Sequence, residues 1–253
     1  MKRFIGVLLF IGVISYTYSQ KTNAILLIPF DSKMFNNQET GFMLEPSEMT
    51  YEQSIQYFTT SFDEHLTRAV KDSLKLYSLL RTYTTDATND IDIVHDHAHY
   101  VYEDIPVSVQ ERRNLSAIEQ HRQRRRQRQE RTQPQQHPQG EIISIREDNS
   151  NKFLSAKFPD PQLFIDLTIN YSAEYIVFAT QFEILGDYSD PYEVGLQRYP
   201  RTMRVHYVIF DRSGNFVYGN VASTAFTARE NNISEICANY MPIIAQEIAR
   251  NIP

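Results

Sequence analysis

Three histidines at alternate positions, His95, His97 and His99 in "HDHAHY", are the residues of this chain whose type and spacing come nearest to a reactive site. In an extended segment all three point to one face and Asp96 to the other. Along such a strand His95 and His99 stand about 13 Å apart. Nitrogens bound to one zinc ion, each about 2.0 to 2.1 Å from the metal, must lie within roughly 4 Å of one another. A pair such as His95 and His97 can share an ion with a carboxylate brought from elsewhere. All three cannot do so unless the backbone bends, and the spacing favours polar, partly exposed histidines on a hairpin over a metal site.

The second feature is charge. "HRQRRRQRQE" places Arg122, Arg124, Arg125, Arg126 and Arg128 within seven residues, in a chain whose formal net charge is -6. Arg112, Arg113 and Arg131 flank the run, while Glu111, Glu119 and Glu130 offset it only in part. Stacking aromatics, which single-stranded nucleic acid would require, are missing between Glu119 and Glu141. Nucleic acid is therefore not an expected partner. An acidic protein surface or an anionic surface polymer is compatible with the run, as is a solvated low-complexity tether.

Other chemistries find little support. There is no G-x-S-x-G elbow, no H-E-x-x-H and no Gly-rich phosphate loop. The single cysteine, Cys237, falls on an apolar helical stripe and reads as a buried structural thiol. Asp187, Asp190 and Glu193 in "GDYSDPYE" fail the EF-hand spacing, and the stretch reads as a loop. His206 alternates within a strand and reads as a satisfied sheet residue. No enzyme activity and no cofactor are expected.

The elements that must position these residues follow from periodicity. "AILLIPF", Ala24 to Phe30, is a continuous apolar run suited to a strand buried on both faces. Residues 31–47 carry Asn, Gly and Pro and read as a long loop. Thr50 and Gln53 form a capping box ahead of Ile55, Phe58, Phe62, Leu66, Val70 and Tyr77, an amphipathic helix packed on a sheet. Residues 90–109 alternate as a strand or hairpin. Glu119 to Glu141 has no aliphatic or aromatic residue and cannot offset an ordering cost of about 1 to 2 kcal/mol per residue by burial. Residues 111–132 are compatible with an exposed helix ending before Pro134.

Order resumes at "EIISI" and "NKFLSAKF". Asp160 and Pro161 start a short helix, Glu174 to Leu185 reads as a long strand, and residues 201–226 form two strands joined near Gly214. Asn232 and Glu235 open a last helix with Ile233, Cys237, Ile244 and Ile248 on one face. The sum is an α/β fold: a mixed sheet with packed helices in a single layered domain, residues 20–110 and 142–253, carrying a polar insertion at 111–141.

At the start, Lys2 and Arg3 precede an apolar run from Phe4 to Ile14, with Thr17 and Ser19 as small residues before a cut. This is a cleavable secretory signal over residues 1–19, with a mature chain from Gln20 that is periplasmic or secreted. No other run approaches the ~20 apolar residues of a spanning helix, so no integral membrane segment is expected after cleavage.

"NAILLIPFDSK", "SAEYIVFATQFEI" and "RVHYVIFDRSGNFVYG" followed by a terminal helix resemble the envelope α/β domain shared by the TolB amino-terminal region, the curli-secretion lipoprotein and the activators of penicillin-binding proteins. The Pro29-Phe30 step and the Ala173 to Tyr175 step carry the likeness. The chain is also similar to exported Gram-negative proteins of unassigned function. This resemblance implies a non-enzymatic accessory or scaffold role in the bacterial cell envelope, acting through protein contacts. The chain departs from the group in lacking a lipidated cysteine and in its basic insertion. Its alternatives are metal binding through the histidines and anionic-polymer binding through the arginines.

Overall fold

The computed structural model describes residues 24–70, 74–82, 85–106 and 151–253. Residues 1–19, where a secretory signal is expected, the insertion 111–141 with its arginines, and "EIISI" at 141–145 lie outside the described residues.

The opening apolar run forms strand β1, Ala24–Ile28, buried at every position. A continuous apolar strand suits a position covered on both faces, and β1 sits inside the sheet, parallel to β3, Lys75–Ser78, on one side and to β6, Tyr175–Gly186, on the other. Beyond β6 an antiparallel hairpin of β7, Pro200–Asp211, and β8, Phe216–Thr227, completes the order β3-β1-β6-β7-β8. The hairpin turns at Gly214, whose φ of 77° is one that L side chains rarely adopt. Asp211 steadies the turn by accepting from the Ser213 and Asn215 amides at 2.8 and 2.9 Å.

Residues 31–47 are more ordered than a loop. A 3-10 turn at Ser32–Met34 leads into strand β2, Phe35–Asn37, which runs parallel to the second half of β6, and then helix α1, Thr40–Ser47. Polar composition hides this because the buried anchors are few and scattered: Met43 is fully buried, and Phe35 is buried and stacks on Phe182 with centroids 5.3 Å apart. Helix α2, Tyr51–Val70, opens on the expected box, with Thr50 N–H donating to Gln53 Oε1 at 2.8 Å and Gln53 N–H to Thr50 Oγ1 at 3.2 Å. Its stripe was expected to run on to Tyr77. It stops at Val70, and Tyr77 instead lies in β3.

The segment at 90–109 also differs. Helix α3, Thr85–His97, occupies its first half, and only His99–Asp104 is a strand, β4. The local alternation of "DIDIVHDH" competes with a longer three- and four-residue spacing of Ala87, Ile91, Val94 and Ala98. Burial of Ala87 and Val94 in the core decides in favour of the helix. Strand β4 pairs antiparallel with β5, Lys152–Lys157, as a separate two-stranded ribbon.

Helix α4, Gln162–Asn170, starts where Asp160 Oδ1 accepts from the Gln162 amide at 2.8 Å. A short helix α5, Pro191–Gly195, replaces an expected loop because Asp190 caps it, accepting from the Tyr192 and Glu193 amides. Helix α6, Ile233–Arg250, is capped by Asn232, which accepts from the Ser234 and Glu235 amides at 3.0 and 3.2 Å.

One face of the sheet is covered by α1, α2 and α6, and the other by α3, α4 and the β4–β5 ribbon. The architecture is α/β, a mixed sheet with helices packed on it. Among the described residues no helix is long and apolar enough to cross a membrane. The ribbon lies close to the sheet at Gly219, where an added Cβ would stand 2.4 Å from the Phe153 ring, so this position admits no side chain without a shift of the ring.

Candidate functional site

Helix α3 and strand β4 separate the three histidines that an extended segment would align. His95 and His97 share the last turn of α3, and residues two apart on a helix face roughly 200° away from each other. Both ring nitrogens of His95 are engaged, Nε2 with the Pro29 carbonyl at 2.9 Å and Nδ1 with the Tyr100 hydroxyl at 2.7 Å. The carbonyl can only accept, so Nε2 carries the proton and Nδ1 accepts from Tyr100. Burial pushes the His95 pKa below its ordinary value, although the bond to Pro29 and nearby Asp31, Asp92 and Asp96 pull the other way. His97 Nδ1 donates back to the Ile93 carbonyl at 2.8 Å, and His99 begins β4. Among the described residues no group of three His, Cys, Asp or Glu side chains is placed to hold a metal ion. The acidic loop is likewise occupied locally: Asp187 accepts from the Ser189 amide, Asp190 caps α5, and Glu193 pairs with Arg198 at 3.0 Å.

His206 is the satisfied sheet residue its alternation suggests, and it fastens one layer to another. Its Nδ1 accepts from the Leu154 amide of β5 at 2.8 Å, and its Nε2 donates to Glu183 Oε2 at 3.0 Å. Between Ala179 and Gln181 the β6–β7 register shifts, leaving Thr180 as an extra residue whose hydroxyl donates to the Leu154 carbonyl at 2.5 Å. Bulges re-aim side chains in this way. Both backbone groups of one ribbon residue are thereby held by side chains of the main sheet.

Burial lowers the His206 pKa from 6.5, outweighing the bond to Glu183. For Glu183 burial acts to raise the pKa, but the His206 hydrogen bond, backed by Arg204 and the Asn36 amide, takes it below 4.5. The folded protein therefore keeps His206 neutral, while the unfolded chain binds a proton as pH falls through 6.5. Stability contributed by this pair is complete above pH 6.5, declines below it, and declines further as pH falls below 4.5. Urea midpoints measured between pH 7 and pH 5 will fall for the wild-type protein and fall less steeply for His206→Gln, which keeps an acceptor and a donor but does not titrate. His65 and His95, also lowered by burial, retain their share of the slope.

Cys237 is buried on α6, its thiol pushed up to about 12 by burial, with only the Ser61 hydroxyl opposing. That is an inert setting for a nucleophile.

Two polar groups escape sequence reasoning altogether. Glu39, just ahead of α1, is completely buried, and Arg201, near the start of β7, is 1% exposed; Arg201 Nε lies 2.7 Å from Glu39 Oε2. Tyr199 donates to the same oxygen at 2.8 Å and Tyr188 to Oε1. Arg201 Nη1 donates to the Asn231 side chain at 2.7 Å and to the Glu230 carbonyl at 3.1 Å. Gly186 leaves room for the carboxylate, since a Cβ there would lie 2.3 Å from Glu39 Oε1.

The second is a cleft of about 810 Å³ outside the carboxyl ends of β1 and β3, between α2 and α3. In open α/β sheets this end of the strands is where ligands bind. Asp63 of α2 lies on its wall, 1% exposed, with Oδ2 against Arg81 Nε and Oδ1 without a hydrogen-bond partner. Burial raises the Asp63 pKa, while the Ser78 hydroxyl and Arg81 act to lower it. Arg81 itself is 43% exposed at its side chain. Neither residue belongs to a motif, and they sit 18 positions apart, Asp63 on α2 and Arg81 in the turn after β3. The arginines of the insertion, Arg122 to Arg128, lie outside the described residues.

Comparison with protein-family models, with curated proteins and with solved structures finds no match to this chain.

Proposed function

We propose that the protein is an exported, non-enzymatic accessory protein of the bacterial cell envelope, working by contact with another envelope protein. The observation that supports this best is the β4 edge. Strand β4 pairs only with β5, and no strand among the described residues covers its other side. Val101 and Tyr102 on it are exposed. An open edge of six residues gives an extended partner segment both backbone hydrogen bonds and side-chain contacts.

The far edge of the main sheet is different. There the amides of Val221, Ser223 and Thr227 on β8 are occupied by the side chains of Asn220, Glu247 and Glu230. Such covering is how proteins blunt an edge against pairing, so the uncovered β4 is the better docking element. In chain order the Arg-rich insertion falls between β4 and β5, and its positive charge suits an acidic partner surface.

Crosslinking and capture from the native envelope tests this reading. Val101→Lys places a charge on the edge at an exposed position and leaves the core alone. The partner captured by the wild-type chain will be lost with Val101→Lys and weakened by deletion of residues 114–139. Undiminished capture by both variants would refute the edge as the contact.

A further inference from the structure

The cleft above β1 and β3 carries an arrangement that goes beyond protein contact. Arg81 spends only Nε on Asp63, which is buried beneath it. Its Nη atoms make no bond to any described side chain, and the side chain as a whole is partly exposed. A guanidinium fixed at one edge by a buried carboxylate is oriented in advance, and its remaining two N–H edges match a carboxylate.

The surroundings decide what accompanies that carboxylate. Four acidic side chains line the cleft, Asp31, Asp63, Glu64 and Asp92, against two cations, Lys33 and Arg81. Lys33 is close to Asp31 at 3.9 Å, and Glu64 is taken up by Arg68 at 3.2 Å. That leaves the Asp92 carboxylate without an ion pair among the described residues. A plain anion would meet the unpaired Asp92 carboxylate, and a plain cation would meet Arg81, whereas a ligand that carries both charges satisfies both. His95, with both nitrogens engaged, offers neither a free donor nor a free acceptor.

We infer that the cleft binds a free α-amino acid, its carboxylate on the Nη edge of Arg81 and its ammonium on the adjoining acidic wall. In such a molecule the two charges are neighbours, as Arg81 and the Asp63 carboxylate are. The apolar side of the cleft, at Ile55, Leu80 and Ile91, is left for the ligand's side chain.

The test uses the mature chain and the free L-α-amino acids, screened as mixtures at millimolar concentration by thermal shift and resolved singly by calorimetry. At least one amino acid is expected to bind saturably, and its N-acetyl and methyl-ester derivatives, each lacking one charge, at least tenfold more weakly. Arg81→Lys keeps the charge but loses the fork, and Asp92→Asn removes an exposed carboxylate; both will weaken binding while circular dichroism shows the fold intact. No saturable binding by any amino acid, or equal binding by the derivatives or by both variants, would overturn the inference. Val101→Lys leaves the cleft untouched, so failure of the docking strand and failure of the ligand site are separately visible.

Discussion

Arg201→Met will destabilise the protein by about 3 to 5 kcal/mol, a large part of the 5 to 15 kcal/mol that holds a typical domain together. The expected loss does not come from a strong salt bridge, because desolvation consumes much of what a buried ion pair gains. It comes from what remains. Glu39 is completely buried, and without Arg201 its negative charge keeps only the hydroxyls of Tyr188 and Tyr199. The Glu230 carbonyl and the Asn231 side chain, which fix the entry to α6, lose their donor as well. The double variant Glu39→Gln/Arg201→Met strands no charge and will recover part of the loss. Urea unfolding followed by circular dichroism measures both, and a double variant no more stable than Arg201→Met would show that the stranded charge is not the cause.

Phe182→Ala will have an effect of similar size, about 3 to 5 kcal/mol, through a cavity. Phe182 of β6 is fully buried, and its ring lies 5.0 to 5.4 Å from those of Phe30, Phe35 and Phe58. Those three come from the loop after β1, from β2 and from α2, so one side chain supports three elements and the collapse that would refill the space has to move all of them. Phe182→Leu, which leaves a smaller void, will cost clearly less. Equal unfolding midpoints for the two variants would mean that the neighbours close over the gap.

Much of this core was legible from spacing alone. The continuous apolar run at Ala24 to Ile28, the Thr50 and Gln53 box, the turn at Gly214 and the Asn232 cap each declare themselves through short-range chemistry, and each lies where that chemistry puts it. The errors share a different origin. Phe35 makes β2 out of a polar stretch through a contact with a residue 147 positions away, and nothing near Phe35 announces it. In α3, two periodicities coexist in the same residues, and burial of Ala87 and Val94 chooses between them. The histidines then follow the helix and part company. Glu39 with Arg201, and Asp63 with Arg81, could not be paired from sequence because each pairing is made only by the assembled sheet.

The position of β1 bears on how the chain reaches this state. Its two neighbours are made at very different times: Leu26 pairs with Tyr77 soon after, but with Ile176 only when some 150 further residues have been added. Until then this wholly apolar strand has one bare edge. Closing so long a loop before its contacts reward it slows folding, by the same logic that makes non-local topologies fold in milliseconds to seconds. A chain released without β6 has no means of covering that edge, and aggregation of carboxyl-terminally truncated forms is the expected result.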